Sequence, residues 1–143
     1  MNYINVMGAT KKKRDLVESA VIFCINELMP RLRTLEVEVN IKNLKNEGVA
    51  GWCYEGENNR DFYIDVDNNL YIEELVETVC HEMVHVKQYA RNEMTDELIE
   101  SGHAVWKGRK IHPKTGYYDL PWEKEAYKLQ DKLALKVWKS GEI

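Results

Sequence analysis

Cysteine is scarce in this chain. There are three, Cys24, Cys53 and Cys80, widely spaced, and none forms a Cys-x-x-Cys pair. An odd, scattered set excludes a disulfide framework and a cysteine-rich zinc site, so each reads as a small core residue in a reducing compartment. Long apolar runs are missing as well. Nothing is long enough to span a bilayer, and the N-terminus has no basic segment followed by an apolar one, so neither an anchor nor a secretory signal is expected. The expected location is cytoplasmic. Charge of one sign is also lacking: 20 Lys and Arg stand against 24 Asp and Glu, a formal net charge of −4. That balance gives no basis for binding nucleic acid or an anionic membrane. The single basic run, Lys11-Lys12-Lys13-Arg14, reads as the solvated entry to a helix. Internal repeats, low-complexity stretches and linkers are absent. What remains is an ordinary globular composition, 44% hydrophobic and 31% charged over 143 residues. Residues 1–143 are expected to form a single domain, and a monomer.

The apolar residues that are present fall into clear periods. Val17, Ala20, Val21, Cys24 and Leu28 recur at helical steps, with Leu16 and Phe23 beside them, so a helix is expected from about Lys13 to Met29, closed by Pro30. Leu35 to Lys42 alternates strictly and reads as a half-buried strand. A turn at Asn46-Glu47-Gly48 leads to a strand over Val49–Tyr54, in which Gly51 marks a bulge or a close approach. A turn at Gly56-Glu57-Asn58-Asn59 leads to a third strand, Arg60–Val66. Hairpin spacing implies an antiparallel or mixed sheet of three to four strands with one buried face. Asp67-Asn68-Asn69 can cap the next helix, Tyr71–Tyr89, whose core stripe is Ile72, Leu75, Val76, Val79, Met83 and Val86. Arg91–Glu100 is polar and fits a short helix. Ala104–Ile111 reads as strand or extended loop, and His112–Gly116 as a turn. The last helix starts at Pro121 with Asp119 as a possible cap, buries Trp122, Ala126, Leu129, Leu133 and Val137, and ends by Gly141.

Chemistry concentrates in the helix over Tyr71–Tyr89, which carries His81-Glu82-Met83-Val84-His85. Residues four apart stack on one helix face, so His81 and His85 can point two imidazoles at one ion. Glu82 is rotated to the side, where it can reach a water on the metal without being a ligand. Two nitrogen ligands with an adjacent general base are the arrangement of zinc metallopeptidases. The apolar flanks Val79, Met83, Val84 and Val86 place the motif mid-helix, where the chemistry needs rigidity.

A catalytic zinc site takes a third protein ligand and leaves one position open. Glu123, Glu125, His103 and His112 are the candidates. Glu123 sits in the first turn of the last helix, with Ala126 beside it permitting close helix approach. Glu125 is rotated about 200° from it, so only one of the two can face the metal. His112 adjoins Pro113 in a turn; like Tyr117 and Tyr118, it could instead stabilise an oxyanion. A metzincin would carry Gly and His three and six residues past His85; here these are Gln88 and Arg91, which excludes that class.

Beyond the motif itself, His81–Tyr89, then Val105-Trp106-Lys107-Gly108, then Tyr118-Asp119-Leu120-Pro121-Trp122-Glu123-Lys124-Glu125-Ala126 resemble a group of small metallopeptidase-like proteins of phages and bacteria, related to minimal gluzincins. The resemblance runs from Ile64 to Gln130. It implies Glu123 rather than Glu125 as third ligand. It also implies an α+β, zincin-like fold: N-terminal helix, small sheet, active-site helix bearing His-Glu-x-x-His, and a C-terminal ligand-bearing helix. The edge strand of such a sheet, here Arg60–Val66, would bind an extended peptide by strand addition. If the protein is phage-encoded, the cytoplasm is that of a host cell. A second resemblance, to SprT-type proteases, rests on Gly102-His103-Ala104-Val105-Trp106 and would make His103 the third ligand. There Gly and His are exchanged, and no cysteine ribbon follows.

The expected function is therefore a Zn2+-dependent peptidase acting on a peptide or protein, with Glu82 as general base and His81, His85 and Glu123 as ligands. The alternatives are a zincin-fold binding or regulatory protein with metal but little or no peptidase activity, a purely structural metal site, or the SprT-type arrangement.

Overall fold

The computed structural model describes residues 1–98 and 103–140, with the side chains of residues 96–98 and 103 excepted. Over these residues it is an α+β fold of two sheets and three long helices. The chain opens with β1 (Tyr3–Gly8), α1 (Lys11–Leu28) and β2 (Glu36–Lys42). β3 (Gly51–Glu55), β4 (Asp61–Asp67) and α2 (Ile72–Ala90) follow. β5 (Met94–Leu98), β6 (His103–Trp106) and β7 (Arg109–Ile111) form a second antiparallel sheet, and α3 (Pro121–Lys139) ends the fold.

The main sheet has the order β1-β2-β4-β3. β1, β2 and β4 are parallel, and β3 returns antiparallel on β4. The alternation along β2 and β4 sets which face is buried: Val37, Val39 and Ile41 lie opposite Phe62, Ile64 and Val66, all within 2% of full burial. Each such side chain contributes roughly 1.5–3 kcal/mol by leaving water. Helices α1 and α2 cover that face, joined in one hydrophobic cluster with α3. From Val79 to Val86 every residue of α2 is buried, because sheet, α1 and α3 surround it. Cys24 and Cys80 meet where α1 crosses α2, their sulfurs 3.7 Å apart and both thiols free.

Several expectations are corrected. β1 has no counterpart in the sequence reading; it adds to β2 as a parallel edge strand, with Ile4 and Val6 packed on the core. β4, expected as the exposed edge over Arg60–Val66, is interior, between β2 and β3. Placed next to α2, β3 is the edge. The stretch expected as a short helix, Arg91–Glu100, contains strand β5, while Ile99 and Glu100 lie outside the described residues. Extended pairing with β6 outweighs the weak helical bias of these polar residues. Asp67 does not cap α2: Tyr71 is the N-cap residue without a side-chain bond, and Asp67 Oδ1 instead accepts from the Leu44 and Asn69 backbone N–H groups. Asp119 does not cap α3 either; it belongs to a 3-10 turn over Tyr117–Asp119, and Leu120 precedes the helix. Ile72, expected in the core stripe of α2, is exposed at the helix start. Gly141 lies outside the described residues. No helix among the described residues is long and apolar enough to cross a membrane.

Candidate metal centre

The middle of α2 and the first turn of α3 face each other across a cleft. His81 and His85 lie one turn apart on α2, their rings 5.0 Å apart and nearly perpendicular. Glu123 comes from α3, where Pro121 starts the helix and Ala126 is fully buried at the helix contact. All three are buried, and their ligand atoms lie within 4.8 Å of one another, a grouping that could hold a metal ion. His81 Nε2 is 3.0 Å from Glu123 Oε1, and His85 Nε2 is 3.3 Å from Oε2.

The outer ring nitrogens are committed. His85 Nδ1 is 2.7 Å from Gln88 Oε1, and His81 Nδ1 is 2.7 Å from Gln130 Oε1. Gln88 is fully buried and its orientation is fixed by its other end: Nε2 donates to Trp122 O at 2.9 Å and to Glu125 Oε1 at 3.1 Å, both acceptors. An amide oxygen can only accept, so His85 Nδ1 carries the proton. The neutral ring then has its lone pair on Nε2, aimed at a carboxylate oxygen that also has only lone pairs. Such an arrangement is stable with a second proton on the ring or with a cation among the three groups. A divalent ion fits this donor set directly: His85 with its outer N–H fixed by Gln88, a second imidazole, His81, whose outer nitrogen meets Gln130, and one carboxylate.

The proton balance agrees with the geometry. Burial alone would raise the Glu123 carboxyl, but the bonds to His81 and His85 outweigh it and hold it down to about 2. Burial opposes charge on His85, yet the Glu123 bond and the nearby Glu82 carboxylate leave its pKa above the ordinary histidine value. Tyr117 O–H donates to Glu123 Oε1 at 3.0 Å. Burial, the Tyr127 hydroxyl and the charge on Glu123 push that phenol far above its usual range, so it remains a donor.

Glu82 has a different role. It is 5% exposed and is not part of the ligand cluster. Its Oε2 is buried without a hydrogen-bond partner among the described residues, a costly state that needs an explanation. Burial drives its carboxyl above the usual range; His85 and His81 pull it down without cancelling that effect, and Glu123 pushes it further up. β3 approaches closely at this point. A Cβ on Gly51 would stand 2.9 Å from Asp65 O, 2.9 Å from Thr78 Cγ2 and 3.4 Å from Glu82 Cγ, so the glycine expected to mark a close approach does so. The cleft above these groups has a volume of about 810 Å³.

The other candidates lie elsewhere. Glu125 also reaches α2 but lies outside the ligand cluster, its Oε1 accepting from Lys87 Nζ at 2.9 Å and from Gln88 Nε2 at 3.1 Å. His112 Nδ1 accepts from the Lys114 backbone N–H in its turn and is outside the ligand cluster. The His103 side chain lies outside the described residues. Tyr117 lines the cleft, whereas Tyr118 is exposed and packs on Tyr117 and Tyr127. Sequence reasoning missed Gln88, Gln130 and Tyr127. Gln88 stands three residues after His85, and Gln130 seven after Glu123, both on the faces that carry the ligands; helical spacing alone would have found them.

Fold and site together give an α+β protein with a buried His81/His85/Glu123 cluster that could hold a metal ion and is compatible with a zincin-like site: a His-x-x-x-His helix and a carboxylate from a later helix. No family model, curated protein or solved structure matches the chain.

Proposed function

We propose that this protein is a zinc-dependent metallopeptidase of the minimal gluzincin type. The observation that carries the proposal is the convergence of the His81 and His85 Nε2 atoms on the Glu123 carboxylate beside a buried glutamate, Glu82, whose Oε2 has no partner among the described residues. His81, His85 and Glu123 would hold the ion. Zinc bound there supplies Lewis acidity, activating water near neutral pH and polarising a carbonyl. Every other role belongs to the chain. Glu82 takes the proton of the attacking water on the carboxylate and delivers it to the leaving amine; its raised pKa suits a group that must hold a proton in mid-reaction. Gln88 and Gln130 keep both imidazoles in one tautomer and orientation. Tyr117 O–H, beside Glu123 in the cleft, is placed to donate to a developing oxyanion.

The substrate is a peptide or protein segment. Among the described residues β3 pairs with β4 alone in the main sheet, and Gly51, Trp52 and Cys53 line the cleft. An extended peptide added to the free edge of β3 would lie across the metal ligands. This assigns to β3 the role first expected of β4.

The test is Glu82→Gln. That variant keeps zinc and loses turnover of a peptide library by about 10²–10⁴-fold. Cleavage as fast as the parent contradicts the assignment. A metal-binding protein without peptidase activity would show the same zinc content and no cleavage in either form. In the cobalt-substituted protein, an exchangeable water supports the open site, and its absence supports a closed structural one.

A further inference from the structure

Glu125 stands outside the ligand cluster, yet a chain of polar contacts leads from it to a ligand. Lys87 Nζ lies between two carboxylates, 2.9 Å from Glu125 Oε1 and 2.8 Å from Glu93 Oε1, with its side chain 12% exposed. Glu93 is set in turn by the backbone, its N–H donating to Gln88 O at 2.8 Å. Glu125 Oε1 also accepts from Gln88 Nε2 at 3.1 Å, and Gln88 Oε1 is 2.7 Å from His85 Nδ1. The two ends of a glutamine amide have nearly the same shape, so hydrogen bonding chooses between them. As the amide stands, every contact pairs a donor with an acceptor. The two hydrogens on Nε2 go to Trp122 O and Glu125 Oε1, and Oε1 receives the His85 Nδ1 proton. Turned over, the amide would offer its NH2 group to His85 Nδ1. That nitrogen would have to accept, and the ring proton would sit on Nε2. There it would face Glu123 Oε2, 3.3 Å away, as donor to acceptor. In the metal-free protein Glu123 therefore favours the tautomer that has no lone pair for an ion. The opposing force lies at the far end of Gln88. A turned amide would point its oxygen at Trp122 O and at the Glu125 carboxylate, which both only accept. The charged acceptor contributes more than the neutral one, and Lys87 holds it in place.

Resting on the metallopeptidase reading, we propose that Glu125 is a positioning residue for His85. Anchored by Lys87, it holds the Gln88 amide in one orientation and so keeps the His85 Nε2 lone pair ready for the ion, against the pull of Glu123. Of the two glutamates in the first turns of α3, one would bind the metal and the other would govern the tautomer of a ligand.

The experiment compares the parent with Glu125→Leu and Glu125→Gln. Lys87 keeps Glu93 as a partner in both, so neither variant strands its ammonium; Glu125→Ala is read in the same way where Glu125→Leu does not fold. In metal-free protein at about pH 9.5, where the imidazole is neutral, nitrogen NMR of isotope-labelled histidine reads which ring nitrogen of His85 carries the proton. The parent shows it on Nδ1, and so does Glu125→Gln, whose amide oxygen can still accept from Gln88. Glu125→Leu shows a population with the proton on Nε2, and in competition with a chromophoric chelator it binds zinc about tenfold more weakly than the parent. A proton on Nδ1 in all three proteins overturns the proposal, even where zinc affinity falls. A Glu125→Gln protein that behaves as Glu125→Leu does overturns the hydrogen-bond mechanism. Parent protein that takes up no zinc overturns the metallopeptidase reading, while the ring signals still decide the role of Glu125.

Discussion

At the scale of single residues, the metal centre is a problem of where protons sit. His85 has its Nδ1 proton fixed by Gln88 Oε1, so its Nε2 serves either a second proton or a cation. His81→Ala and His85→Ala are each expected to lose zinc, read by elemental analysis of the purified protein. Gln88→Leu keeps the ligands but frees the ring, and zinc affinity is expected to fall about 10–100-fold. An unchanged affinity would mean that the Gln88 bond does not orient His85. The pH dependence has a definite sign. In the metal-free protein the raised pKa of His85 gives stability that is present below its unfolded value, about 6.5, and is lost as pH rises through the folded one. Glu123, held down to about 2, gives stability that is present above its unfolded value and lost as pH falls toward that number. These two contributions are therefore both fully present in the metal-free protein only at mildly acidic pH, below about 6.5. Zinc competes with the second proton on the rings, so the zinc-induced rise in Tm is expected to grow with pH. A zinc effect that is flat between pH 5.5 and 8 would contradict this.

At the scale of elements, α2 is the platform and β3 its neighbour. Gly51 sets their distance, since any Cβ there meets the backbone oxygen of Asp65 and the side chain of Thr78. Gly51→Ala is expected to cost about 1–3 kcal/mol in chemical denaturation and to displace Glu82. Phe62→Ala, beneath the same helix, is expected to cost about 3–5 kcal/mol. The long elements were legible in the sequence because burial follows their periods: α1, α2, α3, β2 and β4 bury most of the apolar stripe their spacing draws, with Ile72 exposed and Leu28, Trp122 and Leu129 half-buried near the stripe edges. The grouping was legible too: His81, His85 and Glu123 are brought together as one buried cluster that could hold a metal ion, while Glu125 is taken up by Lys87 and Gln88. The misses have physical causes. β1 is short and gains its stability from β2, a partner on the far side of α1 in the chain, through pairs such as Tyr3 with Glu36. β5 is polar and exists through β6. Strand order is a tertiary property: alternation shows that Arg60–Val66 is half-buried but not that two neighbours flank it. The supporting glutamines carry no motif of their own.

At the scale of the whole molecule, one ion would add a further tie between helices α2 and α3, which already meet through packing, the Lys87–Glu125 ion pair and the bonds from Gln88 to Trp122 O and Glu125. α2 and α3 share the largest helix interface, and the candidate ligands cross it. Zinc bound to the folded state alone raises stability by about 2.7 kcal/mol at a free concentration a hundred times its Kd, and a chelator should reverse the rise. The central claim is tested most directly by a crystal structure of the zinc-soaked protein with anomalous data at the zinc edge. The account predicts one zinc, bonded to His81 Nε2, His85 Nε2 and a Glu123 oxygen at about 2.0–2.2 Å, with its fourth position open to the cleft beside Glu82. A zinc held by Glu125 or His103 in place of Glu123, a fourth protein ligand closing the site, or no zinc at saturating concentration would contradict it.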